Sequence, residues 1–256
     1  MKTAIVILNW NGQKLLEQFL PSVVNFSSEL ADIYVADNAS TDSSIKYIKE
    51  FYPSIKIIEN TRNEGYAKGY NDALCAVDAD IYCLLNSDVE VTKDWLNPVL
   101  EVFKTDKNTA VVQPKLLDFK DKRKFEYAGA GGGFLDLYGY PYCRGRVFNS
   151  LEIDDAQFND ISDIFWASGA CLFIRSKIYQ QVGGLDEDYF AHQEEIDLCW
   201  RVQNIGFTIK YVGTSTVFHV GGATLQETNP QKTYLNFRNS LLNVVKNVPK
   251  KWFLFV

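Results

Sequence analysis

Short apolar runs rich in β-branched residues recur along the N-terminal part of the chain, each followed by an amphipathic stretch. The first, Ala4-Ile5-Val6-Ile7-Leu8, is continuous rather than alternating, as expected of a strand covered on both faces. Asn9-Trp10-Asn11-Gly12 breaks it, and Lys14 to Val24 has helical spacing. The cycle repeats with a strand at Ile33-Tyr34-Val35-Ala36, a turn-and-cap cluster from Asp37 to Asp42 and a helix from Ser43 to Phe51. A strand at Ile55 to Ile58, a helix from Asn63 to Ala76 after a turn at Gly65, and a strand at Ile81 to Leu85 follow. Such alternation predicts a mostly parallel α/β sheet, Rossmann-like and flanked by helices, with ligands bound beyond the carboxyl ends of its strands. Those ends carry Asn9, Asp37, Asn60 and Asn86-Ser87-Asp88, polar groups that a purely structural sheet does not require.

Beyond Trp95 the pattern is less regular. Strands are expected at Val111 to Pro114, at Ala170 to Ile174 within Phe165 to Arg175, at Phe207 to Val212 and at Val217-Phe218-His219. Tyr127 to Gly145 is rich in Gly and Tyr and reads as mobile, with Gly129 to Gly133 as its hinge and a loop able to close over a ligand. Glu194 to Asn204 reads as a helix. On its wheel Glu195 falls among Leu198, Cys199, Val202 and Ile205, whereas Glu194, Asp197, Arg201 and Asn204 share the polar arc. Asp197 and Arg201 are then a solvated pair worth a few tenths of a kcal/mol. An inward-facing Glu195 has no such role: burying a carboxylate is costly unless it has partners or a job, and desolvation raises its pKa as a general base requires.

Composition narrows the classes. The 256 residues are 46% hydrophobic and 23% charged, ordinary for a globular chain, and the net charge of −6 disfavours non-specific nucleic-acid binding. From Gln226 onward, however, five cations face one anion, and the chain ends in Lys250-Lys251-Trp252-Phe253-Leu254-Phe255-Val256. This tail reads either as a helix with a solvated basic face or as a segment lying on an anionic membrane. Five scattered cysteines without a Cys-x-x-Cys argue against a disulfide framework or a thiolate metal site, and Cys75, Cys83, Cys171 and Cys199 are expected to be buried. With no signal-peptide pattern and no apolar stretch long enough to span a bilayer, the expected location is cytoplasmic, at most at the inner face of the plasma membrane.

Four strings carry candidate chemistry. In Asp37-Asn38-Ala39-Ser40-Thr41-Asp42, the Asp37 carboxylate can accept hydrogen bonds from a pyrimidine base, although an isolated string of this kind is usually a helix cap. Asn86-Ser87-Asp88 offers hard oxygen ligands to a divalent cation. The third string surrounds Glu194-Glu195, and the fourth is Val217-Phe218-His219-Val220-Gly221-Gly222. His219 fits a metal ligand, a phosphate contact or a core residue, and spacing alone favours the core.

Taken in this order, the strings resemble glycosyltransferase family 2, inverting enzymes of GT-A fold, and especially its rhamnosyltransferase-like branch. The resemblance runs from Val6-Ile7-Leu8-Asn9-Trp10-Asn11-Gly12 to about Asn243. It implies a nucleotide-sugar-binding subdomain over residues 1–95, a fused acceptor-binding and catalytic subdomain over 96–225, and a basic helical tail over 226–256. Asp37 then corresponds to the base-binding Asp. Further nucleotide contacts are implied for Asn9, Asn11, Asn38, Asn63, Gly65, Lys68, Asn86 and Ser87. Asp88 and His219 would hold Mg²⁺ or Mn²⁺, and Glu195 would be the catalytic base. Trp166, Gly169, Ala170 and Glu194 would line the acceptor, with Arg238, supplemented by Lys232, at the diphosphate. The implied donor is a dTDP- or UDP-sugar, and the implied acceptor a glycan or polyprenyl-linked precursor of surface polysaccharide. Two positions depart from the family pattern: Asn86 stands where the metal motif begins with Asp, and the base is Glu rather than Asp. A nucleotidyltransferase would want a Gly-rich basic loop after the first strand, for which Asn9-Trp10-Asn11-Gly12-Gln13-Lys14 is a poor candidate. A non-catalytic sugar-nucleotide binder draws its only support from Asn86. A dinucleotide dehydrogenase lacks its Gly-x-Gly-x-x-Gly.

Overall fold

The computed structural model describes residues 1–221 and 230–249. Strands β1 (Thr3–Asn9), β2 (Asp32–Asp37), β3 (Lys56–Glu59) and β4 (Ile81–Asn86) alternate with helices α1 (Gln13–Ser27), α2 (Ser44–Phe51) and α3 (Gly65–Leu74). Then come β5 (Val89–Val91), α4 (Leu96–Thr105) and β6 (Thr109–Asp118). Two small hairpins follow, β7 (Gly133–Leu135) with β8 (Pro141–Cys143) and β9 (Arg146–Val147) with β10 (Ser150–Leu151). The chain continues through β11 (Ile161–Asp163), β12 (Cys171–Arg175), α5 (Ser176–Gln181), a 3-10 turn (Glu187–Tyr189), α6 (Glu194–Asn204), β13 (Thr208–His219) and α7 (Pro230–Asn247).

Nine strands form one sheet in the order β11-β13-β6-β12-β4-β1-β2-β3, with β5 paired to β13. β3, β2, β1 and β4 are mutually parallel; β12 runs against both β4 and β6, so β6 and its parallel neighbour β13 share the direction of the first four. The sheet is continuous across residue 95, so the two expected subdomains share one core.

Side-chain alternation explains the layers. Ile5 and Ile7 of β1, with Val35 and Leu85, join α1 and α4 on one face; Ala4 and Val6, with Ala36 and Leu84, join α3, α5 and α6 on the other. Helix α1 buries Leu16, Phe19, Leu20 and Val23 at the spacing of one helical stripe. Four of the five cysteines are buried, but Cys75 is exposed at the end of α3, against expectation.

The sequence reading split β13 into two strands. It is one strand, with a register irregularity between Val212 and Thr216, directly opposite Pro114 and Lys115 of β6. Proline has no N–H for the ladder, and the bulge takes up the missing pairing. The bulge also sets the register that brings His219 level with Asp118 and Val89.

Gly129 to Gly133 is not a hinge. All five residues are buried; Gln113 Nε2 donates to Gly129 O at 2.9 Å and Arg144 Nε to Gly131 O at 2.7 Å. A Cβ on Gly133 would lie inside the Trp166 indole, so the glycine there permits close packing rather than motion. No described helix is long and apolar enough to cross a membrane. Lys250 to Val256, on which the membrane-surface reading of the tail rests, and Gly222 lie outside the described residues.

Candidate active site

Because β1, β2, β4, β6 and β13 run the same way, their carboxyl ends deliver Asn9, Asp37, Asn86 and His219 to one edge. At the β1–β2 end, Asp37 is 3% exposed and Asn9 fully buried. Asn9 Nδ2 donates to Asp37 Oδ1 at 2.8 Å, and the Ser40 hydroxyl and N–H donate to the same carboxylate at 2.6 and 2.8 Å. Asn11 Oδ1 accepts from Thr41 N at 2.7 Å, closing the loop. Asn38 Nδ2 donates to Gly65 O at 3.1 Å, and Gly65 N donates to Asn63 Oδ1 at 3.0 Å. Gly69 makes room for this network, since a Cβ there would stand 2.5 Å from the Asn38 amide. The result is a rigid polar rim in which the buried Asn9 Oδ1 has no partner among the described residues. Lys68 is not part of it: on the surface of α3 it meets Asp72 at 3.0 Å and Glu187 at 3.6 Å.

The β4–β5 turn holds the second cluster. Asp88 is 5% exposed, and its Oδ1 lies 3.3 Å from His219 Nε2. On the other side of the imidazole, Nδ1 is 3.3 Å from Oε1 of Glu126, too poorly aligned for a hydrogen bond. Glu126 is itself buried and anchored by Ala128 N at 2.6 Å. Despite burial, which acts the other way, the two flanking carboxylates push the His219 pKa up to about 10. The sequence reading missed Glu126. It stands in an irregular segment far from His219 along the chain, and no local motif marks it.

The donor set fits a divalent cation. Two cis ligands on an ion with bonds of ~2.1 Å stand about 3 Å apart, near the observed Asp88–His219 separation. Among the described residues no group of three or more His, Cys, Asp or Glu side chains is arranged to hold a metal ion, since Glu126 lies on the far side of the imidazole, so further ligands would have to come from phosphate oxygens and water.

The third cluster sits at the start of α6. Glu194 is 4% exposed, its Oε2 without a partner among the described residues, and Glu195 is half-buried beside it. Burial pushes Glu195 up to about 7, and burial plus the neighbouring Glu195 charge pushes Glu194 well above the carboxylate range. Gly169 lies between Glu195 and Tyr66, whose hydroxyl donates to Gly169 O at 2.6 Å. The next residue, Ala170, accepts from Asn86 N at 2.9 Å, so the 166–170 loop joins the base candidate to the Asn86-Ser87-Asp88 turn. Trp166 supports this loop from within: it is 5% exposed, with Nε1 donating to Phe134 O at 2.9 Å.

The wheel misplaced the other side of α6. Asp197 is fully buried rather than solvated, accepting from Arg201 Nε at 2.8 Å and Asn247 Nδ2 at 2.8 Å. Helix α7 covers that arc. Its cations are also not a solvated basic face: Lys246 pairs with Asp186 and Asp197, and Arg238 donates to the carbonyls of Asp188 and Tyr189 at 2.7 and 2.9 Å.

The mostly parallel sheet flanked by helices, with polar residues at the carboxyl ends of its strands, is a GT-A fold. The chain belongs to glycosyl transferase family 2, whose sequence model matches residues 4–183, and it is a glycosyltransferase. It is 24% identical over 231 residues to the N-acetylglucosaminyl-diphospho-decaprenol L-rhamnosyltransferase of Mycobacterium tuberculosis, covering 84% of this chain and 75% of that protein. Among solved structures it resembles GalNAc-T7 with UDP, GalNAc and Mn²⁺ (TM-score 0.72, 16% identity, 96% of this chain). It also resembles the mannosyltransferase PcManGT of Pyrobaculum calidifontis with GDP-Man and Mn²⁺ (TM-score 0.67, 13% identity, 97% of this chain). The chain spans 48% and 65% of the lengths of those two structures.

Proposed function

We propose that this glycosyltransferase moves a hexosyl or deoxyhexosyl group, with inversion, from a dTDP- or UDP-sugar to a hydroxyl of a glycan or polyprenyl-linked acceptor in surface polysaccharide synthesis. The observation that carries the reading is Glu195: a half-buried carboxylate raised to about 7, against the loop that abuts the Asn86-Ser87-Asp88 turn. A base with a pKa near the working pH combines a useful deprotonated fraction with adequate proton affinity. Residues 1–95 supply the nucleotide rim, with Asp37 toward the base, and residues 96–225 the acceptor wall.

In the reaction, the acceptor oxygen bonds to the anomeric carbon as Glu195 takes its proton. The bond from that carbon to the diphosphate oxygen breaks, and its electron pair leaves with the nucleoside diphosphate. Asp88 and His219 would hold the cation, which when bound supplies positive charge to the departing diphosphate. Mn²⁺ suits a mixed oxygen–imidazole pair better than Mg²⁺, and the two structural neighbours named above contain it. Isothermal titration with UDP and dTDP, with and without Mn²⁺, on wild type and Asp88→Ala tests the reading. Micromolar binding that needs the metal and disappears in the variant supports it. No binding of either nucleotide under any condition overturns it.

A further inference from the structure

Between the 3-10 turn and α6 the chain runs through Phe190-Ala191-His192-Gln193, and the backbone there is unusual. Phe190, His192 and Gln193 all have positive φ (+63°, +71° and +67°), a conformation that side chains with a Cβ adopt only when the surroundings enforce it. Four carbonyls of the turn and this stretch, from Asp188, Tyr189, Ala191 and His192, turn toward α7, and only that of Tyr189 also accepts from the backbone, from Ala191 N at 2.7 Å. The side chains of α7 satisfy them.

Asn239, fully buried, donates through Nδ2 to His192 O at 2.6 Å, Ala191 O at 3.0 Å and, more weakly, Tyr189 O at 3.3 Å. Arg238 holds the carbonyls of Asp188 and Tyr189. Gln193 is gripped from both ends: its Nε2 donates to Asn236 O and Ser240 Oγ, and its Oε1 accepts from Asn243 Nδ2 at 3.1 Å. One turn further on, Asn247 reaches Asp197 of α6. Asn239, Asn243 and Asn247 thus form a buried ladder at every fourth position of α7. An apolar stripe would pack a helix there as well. Amides are needed only if the surface beneath is unsatisfied backbone.

We propose that this asparagine ladder, with Asn239 at its centre, is a positioning device that holds the strained 190–193 loop and through it sets the place of Glu195 at the entry of α6. The proposal rests on the reading of Glu195 as the base. The loop leads without a break into Glu194 and Glu195, and on its other side Phe190 O accepts from Tyr66 N at 2.9 Å, so α7 and α3 hold it between them. The family sequence model ends at residue 183, before the loop, α6 and α7. Arg238 accordingly acts on the loop backbone, a different task from the diphosphate contact expected of it as a cation of the basic tail.

The test needs no sugar donor. In the full chain, the Glu195 side-chain carboxyl is followed by ¹³C NMR as pH is raised, with Glu195→Gln assigning the signal. Facing that carboxyl are Glu194 on its own helix, Tyr66 from α3 and Cys199, none of which the variants alter. Asn239→Ala is expected to remain folded, to keep UDP affinity within about threefold, and to titrate Glu195 at least one pH unit below the wild-type value of about 7. Amides of the 189–193 stretch should exchange at least ~100-fold faster. Asn204→Ala, which removes a 3.3 Å contact to Asn247 O at the far end of the α6–α7 pair, should move neither signal. If Asn239→Ala does not fold, Arg238→Ala, at a half-buried position on the same loop, carries the same test. An unchanged Glu195 titration in the loop variant, or equal shifts in the loop variant and Asn204→Ala, overturns the proposal. Failure of the wild type to bind UDP or dTDP would instead overturn the proposed donor while leaving this titration interpretable.

Discussion

Replacing Glu195 by Gln should abolish transfer and yet stabilise the protein, in a pH-dependent way. Burial raises the carboxyl from its ordinary 4.5 to about 7, so the folded chain holds this proton more tightly than the unfolded chain. The sign follows from linkage: below pH 4.5 both states are protonated and nothing is lost. Between 4.5 and 7 the unfolded chain ionises first, and folding becomes progressively less favourable. Above 7 the deficit is constant and has a ceiling of about 3 kcal/mol, at roughly 1.4 kcal/mol for each pH unit. Gln occupies the same volume and carries no charge. At pH 8 the variant should therefore melt higher, by at most ~6–12 °C for a chain of this size. At pH 5 the gain should shrink to below about 1 kcal/mol. The buried Glu194 adds in the same direction, because removing its neighbour's charge relieves it as well. Thermal unfolding of both proteins at pH 5, 6, 7 and 8 reads this directly. A gain equal at pH 5 and pH 8, or a loss at pH 8, would refute the claim that the acidic pair is held at the expense of stability.

The same pKa predicts that kcat, once a donor–acceptor pair is known, falls as pH drops below about 7; an acidic limb near 4–5 would show that the buried carboxylate is not the group that titrates. Glu126→Gln should weaken Mn²⁺ binding by about 10- to 100-fold, measured by electron paramagnetic resonance of the free ion, because the negative charge 3.3 Å from His219 Nδ1, which makes the imidazole a better donor, is lost. Unchanged affinity would leave Glu126 with no part in the site. Gly133→Ala should cost about 1–3 kcal/mol in denaturant unfolding, since the new methyl has to displace the Trp166 indole; an unaltered midpoint would return the glycine run to the role of a hinge.

Most of the N-terminal half was legible because its logic is local. Each strand of the 3-2-1-4 order is a short apolar run, and the polar residue that ends it lies at the edge where strands of this direction place ligands. Asp37, Asn86 and Asp88 are found there without knowledge of any distant partner. The glycines between 129 and 133 were misread for the same reason. A glycine that swings and a glycine that admits a tryptophan ring look alike until the ring, more than thirty positions away, is in place.

Helix α6 shows where the local argument stops. A helical wheel assigns its polar arc to water, and on that assumption Glu195 alone faces inward. In the structure Glu194 and Asp197 are more deeply buried than Glu195, and at Asp197 a second helix lies over the supposed solvent face and brings a donor that water would have supplied. Nothing near α6 announces this. The signal lies in α7, where three asparagines recur at the spacing that amphipathic helices reserve for apolar residues. Buried amides at core spacing are costly unless matched by unsatisfied polar groups on the opposing surface. Their presence therefore implies a partner that is irregular backbone or buried carboxylate rather than a hydrophobic face. Read in that way, the Asn239–Asn243–Asn247 stripe predicts both the strained loop and the buried Asp197. It also places three positive-φ residues, Phe190, His192 and Gln193, immediately ahead of the acidic pair on which the proposed chemistry depends.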